Sequence, residues 1–320
     1  MIPIADIEAA RDRIADVAIR TPLIRLHAPE FPAEIWLKLE CLQPIGAFKI
    51  RGAANAVRTA PAEALRQGVF TTSAGNMAQG VAWMARAEGV PATVIAPDHA
   101  PDAKVAAIER LGGTVIKVPF DRWWEAMVAG AYPGVAGHFV HPVQDRAVMA
   151  GNGTIGLELV EDLDDIDAVL IPWGGGGLAT GIASALAARS PRTKVYACEP
   201  ATGAPMHASF QAGEPVAVDY TASFVDGAGS KSLLPAMWDL ARPLLAGTFA
   251  PTLDETAAAI RLLVSRARVV AEGAGALALA AAISGHARSG GAGSGRIVCI
   301  VSGGNIDAAK LATILDGRTP

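Results

Sequence analysis

"VLIPWGGGGLATGIASAL", residues 169–186, passes from a short apolar, β-branched segment through four consecutive glycines, Gly174 to Gly177, into an alanine-rich helical pattern. Strand, tight turn and helix in that order make the first half of a strand–helix–strand unit, from which mostly parallel sheets are assembled. The alternation recurs along the chain. Candidate strands at 34–39, 92–96, 114–118, 168–171, 193–198 and 296–301 are separated by helical patterns that include 76–89, 101–111 and 177–189. The fold class is therefore α/β, with open, twisted, mostly parallel sheets flanked by helices. The strands at 92–118 suit a compact unit distinct from those after 150. A parallel sheet can receive strands from both ends of a chain, so a smaller domain inserted within a larger one is expected.

Composition sets the outer limits. A chain of 320 residues with 51% hydrophobic and 18% charged residues has material for large cores, enough for roughly two domains of about 150 residues each. A net charge of -4 and scattered Lys and Arg offer no basic field for nucleic acid. Cys41, Cys198 and Cys299 lie far apart with no CxxC pair, so a disulfide framework and a zinc ribbon are both unsupported and a cytoplasmic location is expected. The first residues alternate charged and apolar positions, unlike a signal peptide, and no run approaches the roughly 18 apolar residues of a membrane span. The glycine- and serine-rich stretch 284–295 suits a flexible surface loop.

Four glycines in a row are costly in chain entropy, so the turn must need a backbone without Cβ atoms. A helix N-terminus with free N–H groups and the positive end of the helix dipole is a natural phosphate cradle. A ligand-free turn and a dinucleotide site are alternatives, since Gly174, Gly176 and Ala179 satisfy GxGxxA and Glu199 ends the next strand. A P-loop is excluded because no Gly-Lys-Ser/Thr follows. A second strand–glycine–helix stretch, "TTSAGNMAQG" at 71–80, offers N–H groups around Ser73 to Met77 for a carboxylate, although Ser73 as a plain N-cap is the simpler explanation. In a third, "CIVSGGNID" at 299–307, Ser302 emerges from a buried strand.

"IGAFKIRG", residues 45–52, sets Lys49 in apolar surroundings. A desolvated lysine loses its proton more readily, and the neutral amine forms imines with carbonyl compounds. By composition alone a lysine that snorkels to the surface is commoner. Two anion cradles together with this lysine nevertheless match one cofactor, pyridoxal 5'-phosphate, with an amino-acid carboxylate in the second cradle. A nicotinamide-dependent oxidoreductase would leave Lys49 and residues 73–77 idle.

"KLECLQPIGAFKIRGAANAV", "TTSAGNMAQGVA", "PWGGGGLATGI", "EGAGALA" and "VSGGN", in that order, resemble the motif set of the fold type II pyridoxal-phosphate enzymes, and most of all the threonine/serine dehydratases. The resemblance runs from Thr21-Pro22 to Asn305 and implies two sheets, with residues 1–52 and 143–320 as the large cofactor-binding domain and 53–142 as the small one. It implies that Lys49 joins the cofactor covalently, with Phe48 against the ring. Gly174, Gly175, Gly176, Gly177 and the Leu178 amide would hold the phosphate, Asn76 would bond the ring hydroxyl, and Ser302 would face the pyridine nitrogen. Ser73, Ala74, Gly75, Asn76 and Met77 would line the substrate carboxylate loop. The implied reaction is β-elimination from a β-hydroxy amino acid, giving a 2-keto acid and ammonia, with Lys49 taking the Cα proton; a homodimer is the implied assembly. β-Replacement, racemisation and a catalytically silent member are the alternatives within the superfamily.

Departures from the family pattern bear on the substrate. Ala74 stands where racemases of the family carry a serine, and Met77 where His is usual in SxGNHxQG, which would make the pocket more apolar. Glu199-Pro200 opens the family's cation site, but Pro205 replaces the acid expected six positions on. A monovalent ion on Glu199 and the Gly203 carbonyl is what remains. "VDGAGSKSL" at 225–233 differs from DGxAV, which leaves the substrate-side wall open. No regulatory domain is expected beyond the catalytic region. His138 and His141, three apart, lack a third metal ligand; Trp123 and Trp124 suit packing on a helix, with substrate access the alternative; Cys41 and Cys299 suit packing; and Glu272 suits a helix start with its acid near the dipole or, as the resemblance implies, a buried acid near the cofactor.

Overall fold

The computed structural model describes residues 1–285 and 295–320. Among these, ten strands form two sheets: β1 Leu23–Arg25, β2 Glu34–Lys38, β3 Val69–Thr72, β4 Ala92–Pro97, β5 Gly113–Val118, β6 His138–Phe139, β7 Ala168–Pro172, β8 Lys194–Cys198, β9 Gly247–Phe249 and β10 Arg296–Ile300. All six strands expected from β-branched runs are present. The segment 284–295, expected as a loop, lies almost wholly outside the described residues.

The larger sheet has the order β1-β2-β10-β7-β8-β9, and the smaller β5-β4-β3-β6. Pairing is parallel throughout except for β1, which runs antiparallel to β2 with Leu23 opposite Lys38. The smaller sheet draws only on residues between 69 and 139, and the chain returns to the larger sheet on both sides of it. Every residue of β7 is buried, as a central strand covered on both faces requires, which is why its sequence is a continuous apolar run instead of an alternating one.

Small residues let the covering helices approach closely. Helix Arg146–Asp162 packs on helix Gly177–Arg189, where a Cβ on Gly181 would lie 2.3 Å from the Met149 carbonyl oxygen and one on Gly156 2.8 Å from the Ala185 methyl. The abundant alanine belongs to this arrangement: helix Gly273–Ile283 is buried along almost its whole length. Among the described residues no helix is long and apolar enough to cross a membrane.

The strands deliver the glycine-bearing segments to one place. β3 leads into Ser73–Gly75, β7 into Gly174–Gly177, β8 into Glu199 and β10 into Ser302–Gly304, each at the carboxyl end of a parallel strand, where open α/β sheets bind ligands.

Candidate active site

Lys49 begins the helix Lys49–Thr59. The strip Ser302–Gly304 clamps the residues before it: Phe48 N donates to Ser302 O (3.0 Å) and Gly304 N to Gly46 O (2.9 Å), and Ala47 pairs with Gly303 as an isolated bridge. Glu272 N donates to Gly303 O (3.0 Å), so the same strip ties Lys49 to the start of helix Gly273–Ile283. Lys49 is half-buried, its Nζ donates to Pro142 O (2.9 Å) and lies 5.1 Å from the centre of the Phe48 ring. Burial pushes the amine down from the ordinary lysine value of 10.5 to about 8, against the opposing pull of the Glu272 carboxylate.

The Pro142–Val143 turn joins the lysine to the tetraglycine turn. A Cβ on Gly175 would meet the Val143 side chain at 2.4 Å, and one on Gly177 the Val143 carbonyl oxygen at 2.8 Å. Gly176 has φ +95°, and a Cβ there would sit 2.4 Å from the buried Trp173 ring; one on Gly174 would lie 3.0 Å from the Gly227 carbonyl oxygen. The glycines are thus required by the packing of the turn itself. What that packing leaves is a row of donors: among the described residues no N–H of Gly174, Gly175, Gly176 or Gly177 bonds to another group of the protein. The N–H of Leu178 is one of the orphan donors of the first turn of helix Gly177–Arg189, so the positive end of its dipole adds to the cradle.

At the end of β3, Ser73 Oγ accepts from Gly75 N (3.2 Å), and Gly75 is the N-cap of helix Asn76–Ala87. Ser73 therefore shapes the loop from within but is not the N-cap, a place taken by Gly75, and nothing lies within 4 Å of the position a Gly75 Cβ would take. Asn76 is fixed at both ends of its amide: Nδ2 donates to Glu272 Oε1 (2.9 Å) and Oδ1 accepts from Asn305 Nδ2 (2.8 Å), which also donates to Ile45 O. Gly227 lies against both Gly174 and Glu272. The contacts form a chain from Lys49 through Pro142 and Val143 to the glycine turn, then Gly227, Glu272 and Asn76.

Burial, with the nearby Asp226 charge, raises the Glu272 carboxyl to about 7, opposed by the Asn76 hydrogen bond and Lys104. Asp226 pairs with Lys104 (2.6 Å), an ion pair between segment 225–233 and the helix Asp102–Arg110 beside the smaller sheet. Ser302 is 3% exposed and belongs to the strip beside Phe48.

The structure revises one side chain and adds to two others. Met77, expected to grease the pocket, is 2% exposed and packs with Ile45, Ile50 and Val81 in the core beside the smaller sheet, because residue 77 lies on the inner face of its helix. Its backbone N–H stays in the first turn. Glu199 caps the helix Pro205–Ala212 by accepting from Met206 N (3.2 Å) and His207 N (2.8 Å), and burial pushes its carboxyl up to about 8. Gly203 O accepts from Ser230 N (3.1 Å). Among the described residues no group of three or more His, Cys, Asp and Glu could hold a metal ion. Cys41, Cys198 and Cys299 are buried and free, as packing residues. Asn305 ends the VSGGN motif and reaches the site across the fold, through Asn76 and Ile45, whereas His141 enters it locally, accepting from Val143 N and Gln144 N.

These residues fit pyridoxal 5'-phosphate: a row of unengaged N–H groups for a phosphate, an amine of lowered basicity for an aldehyde, and a fixed amide between them. Comparisons with known proteins agree. The family of pyridoxal-phosphate dependent enzymes matches residues 14–303. An L-threonine ammonia-lyase from Geobacter sulfurreducens is 39% identical over 99% of this chain and 79% of its own length. Among solved structures, the processed form of threonine deaminase isoform 2 from Solanum lycopersicum is 31% identical, with 98% of this chain and 91% of that one covered and a TM-score of 0.87. Maize serine racemase is 31% identical, with 98% and 97% covered and a TM-score of 0.88. The chain belongs to the pyridoxal-phosphate dependent enzymes, in their fold type II architecture.

Proposed function

We propose that the protein is an ammonia-lyase that removes water from a β-hydroxy amino acid such as threonine or serine and releases a 2-keto acid and ammonia. The observation that carries this reading is the Lys49 amine, lowered to about 8 and held beside the unengaged amides of the glycine turn by the Pro142–Val143 turn. The similarity to a threonine ammonia-lyase over 99% of the chain supports the same reaction.

Bound pyridoxal 5'-phosphate supplies an electron-withdrawing ring that acidifies the substrate Cα–H. Gly174 to Gly177 and the Leu178 amide would hold its phosphate, Phe48 would pack against its ring, Asn76 would bond its hydroxyl and Ser302 would lie toward its pyridine nitrogen. The amides from Ser73 to Met77 bind the substrate carboxylate. Lys49, neutral in a substantial fraction near pH 8, would take the Cα proton as a positioned base and return it to the departing β-hydroxyl, which would leave as water. The enamine so released hydrolyses to the keto acid and ammonia. Residues 53–142 form the small domain that presents Ser73–Met77 to the large domain of 1–52 and 143–320, a division supported by a smaller sheet built only from strands between 69 and 139.

A monovalent cation on Glu199 and the Gly203 carbonyl belongs to the same reading, because Glu199 is buried with only two backbone N–H donors on its carboxylate. Potassium should therefore raise the thermal midpoint, and a midpoint indifferent to sodium or potassium removes the ion. A homodimer, tested by light scattering, and a cytoplasmic location, supported by three free cysteines, complete the proposal. Racemisation is the second reading, favoured by the likeness to maize serine racemase. Ala74 opposes it, since its methyl group cannot exchange a proton on the face opposite Lys49.

The protein reconstituted with pyridoxal 5'-phosphate should release ammonia and keto acid in equal amounts from at least one of threonine, serine and 3-hydroxyaspartate. Inversion of the amino acid without ammonia would establish the racemase instead, and silence toward the whole panel would overturn both.

A further inference from the structure

His141 touches the site through a single peptide group. Its Nδ1 accepts from Val143 N and Gln144 N, each at 3.0 Å. Both donors are backbone N–H groups, so Nδ1 carries the lone pair and the proton of the neutral ring sits on Nε2. The N–H of Val143 belongs to the same peptide unit as the carbonyl of Pro142, which accepts from Lys49 Nζ at 2.9 Å. No peptide bond in the described chain is cis, so the N–H and C=O of that unit point in opposite directions, one toward the imidazole and the other toward the lysine. An acceptor on the N–H polarises the carbonyl on the far side and improves it as a partner for an amine. The next group along, Val143, carries the side chain and carbonyl against which Gly175 and Gly177 pack.

We propose that His141 is a positioning residue for Lys49 and the glycine turn: its neutral imidazole anchors the 142–143 peptide, and protonation of Nδ1 releases it. An imidazolium has no lone pair, so both backbone donors would lose their acceptor at once. The charged groups that act on the ring are Asp145, which favours the imidazolium, and Lys49, which disfavours it; the Phe139 ring meets His141 edge-on at 5.8 Å. Burial is the largest influence and, with Lys49, keeps the ring neutral to lower pH than an ordinary histidine. The anchor is thus in place at neutral pH and lost on acidification.

The inference rests on the cofactor reading of the site. Its test is the dissociation constant of pyridoxal 5'-phosphate from the apoprotein, measured by equilibrium dialysis between pH 5 and 8.5, with thermal unfolding of each apoprotein as a control. His141→Leu removes the acceptor and should weaken binding about tenfold at pH 8, the worth of a lost hydrogen bond. His141→Asn keeps an acceptor oxygen at the same distance along the side chain and cannot titrate. It should bind within about threefold of the wild type at pH 8 and should lack the extra acidic weakening that the wild type shows below the ordinary histidine range near 6.5. An Asn variant whose affinity falls with the wild-type midpoint, or a Leu variant as tight as the wild type at pH 8, overturns the role of His141 alone. Wild-type protein that takes up no pyridoxal 5'-phosphate at pH 8 overturns the proposed function and this inference with it.

Discussion

Lys49 and Arg51 stand two residues apart on one helix, roughly 200° apart around its axis, and the protein treats their charges in opposite ways. Arg51 is 1% exposed and fully matched. Its Nε and Nη2 fork onto Glu40 (2.8 and 2.9 Å), Nη1 and Nη2 onto Glu158 (2.6 and 2.9 Å), and Thr154 Oγ1 and Ile19 O take remaining donors. The cluster also includes Lys38, 2.6 Å from Glu158, while Thr21 and Gln43 donate to Glu40. Burial alone would raise the Glu40 carboxyl and lower the Arg51 guanidinium, yet their mutual attraction shifts each the other way. Lys49 has no carboxylate in hydrogen-bond contact, only the Pro142 carbonyl and a more distant Glu272, and its basicity falls. The compensated, buried Arg51 anchors the helix, whereas the half-buried, uncompensated Lys49 is left with the lowered basicity that a reactive amine needs.

The sharpest way to break this comparison is to remove each cation in turn. Lys49→Met should lower turnover about 10⁴-fold or more and abolish the visible absorbance of the cofactor-loaded protein, because in the proposed reaction one amine serves as both attachment point and base. The same change should stabilise the apoprotein. A lysine whose folded value lies near 8 instead of 10.5 penalises the folded state in full below pH 8, and the penalty fades as pH rises toward 10.5. Urea titration of the apoprotein should show a gain of no more than about 3 kcal/mol at pH 7 that shrinks with increasing pH. Arg51→Met should act with the opposite sign, costing about 3–5 kcal/mol at pH 7 because it strands Glu40 without its guanidinium. Adding Glu40→Gln should recover part of that loss in a double-mutant cycle.

Smaller changes sharpen the picture. Gly176→Ala places a side chain at φ +95° against Trp173 and should cost about 2 kcal/mol in unfolding free energy, with looser cofactor binding. Glu272→Gln removes the charge that supports the ammonium form of Lys49 and should lower the lysine midpoint by less than about one pH unit, while erasing a group that titrates near 7.

The two regions were not equally legible in the sequence. The tetraglycine turn, the lysine and the loop at 73–77 are local: each shows as a run of residue types with a backbone consequence, and the structure puts them at the carboxyl ends of β7 and β3 and at the start of a helix. The partners of the cations are not local. Glu40 is the carboxylate nearest Lys49 in sequence on the upstream side, but helix geometry gives it to Arg51, and Glu158 reaches the same guanidinium from 107 residues away. Asn305 and Glu272, which fix Asn76, come from elements more than 190 residues downstream of it. The short strands β1, β6 and β9 span three, two and three residues, too few for a period of two to register. Met77 shows the converse error, since a residue adjacent to functional amides can still turn its side chain into the core.

We propose Lys49 as the reactive amine, since it is half-buried and has no carboxylate in hydrogen-bond contact among the described residues. This assignment is tested most directly by incubating the apoprotein with pyridoxal 5'-phosphate across pH, trapping the adduct with borohydride, and locating and quantifying it by peptide mass spectrometry. Attachment is expected at Lys49, with a rate that rises through a midpoint near 8. Labelling at another lysine, or a midpoint near the ordinary 10.5, would contradict it.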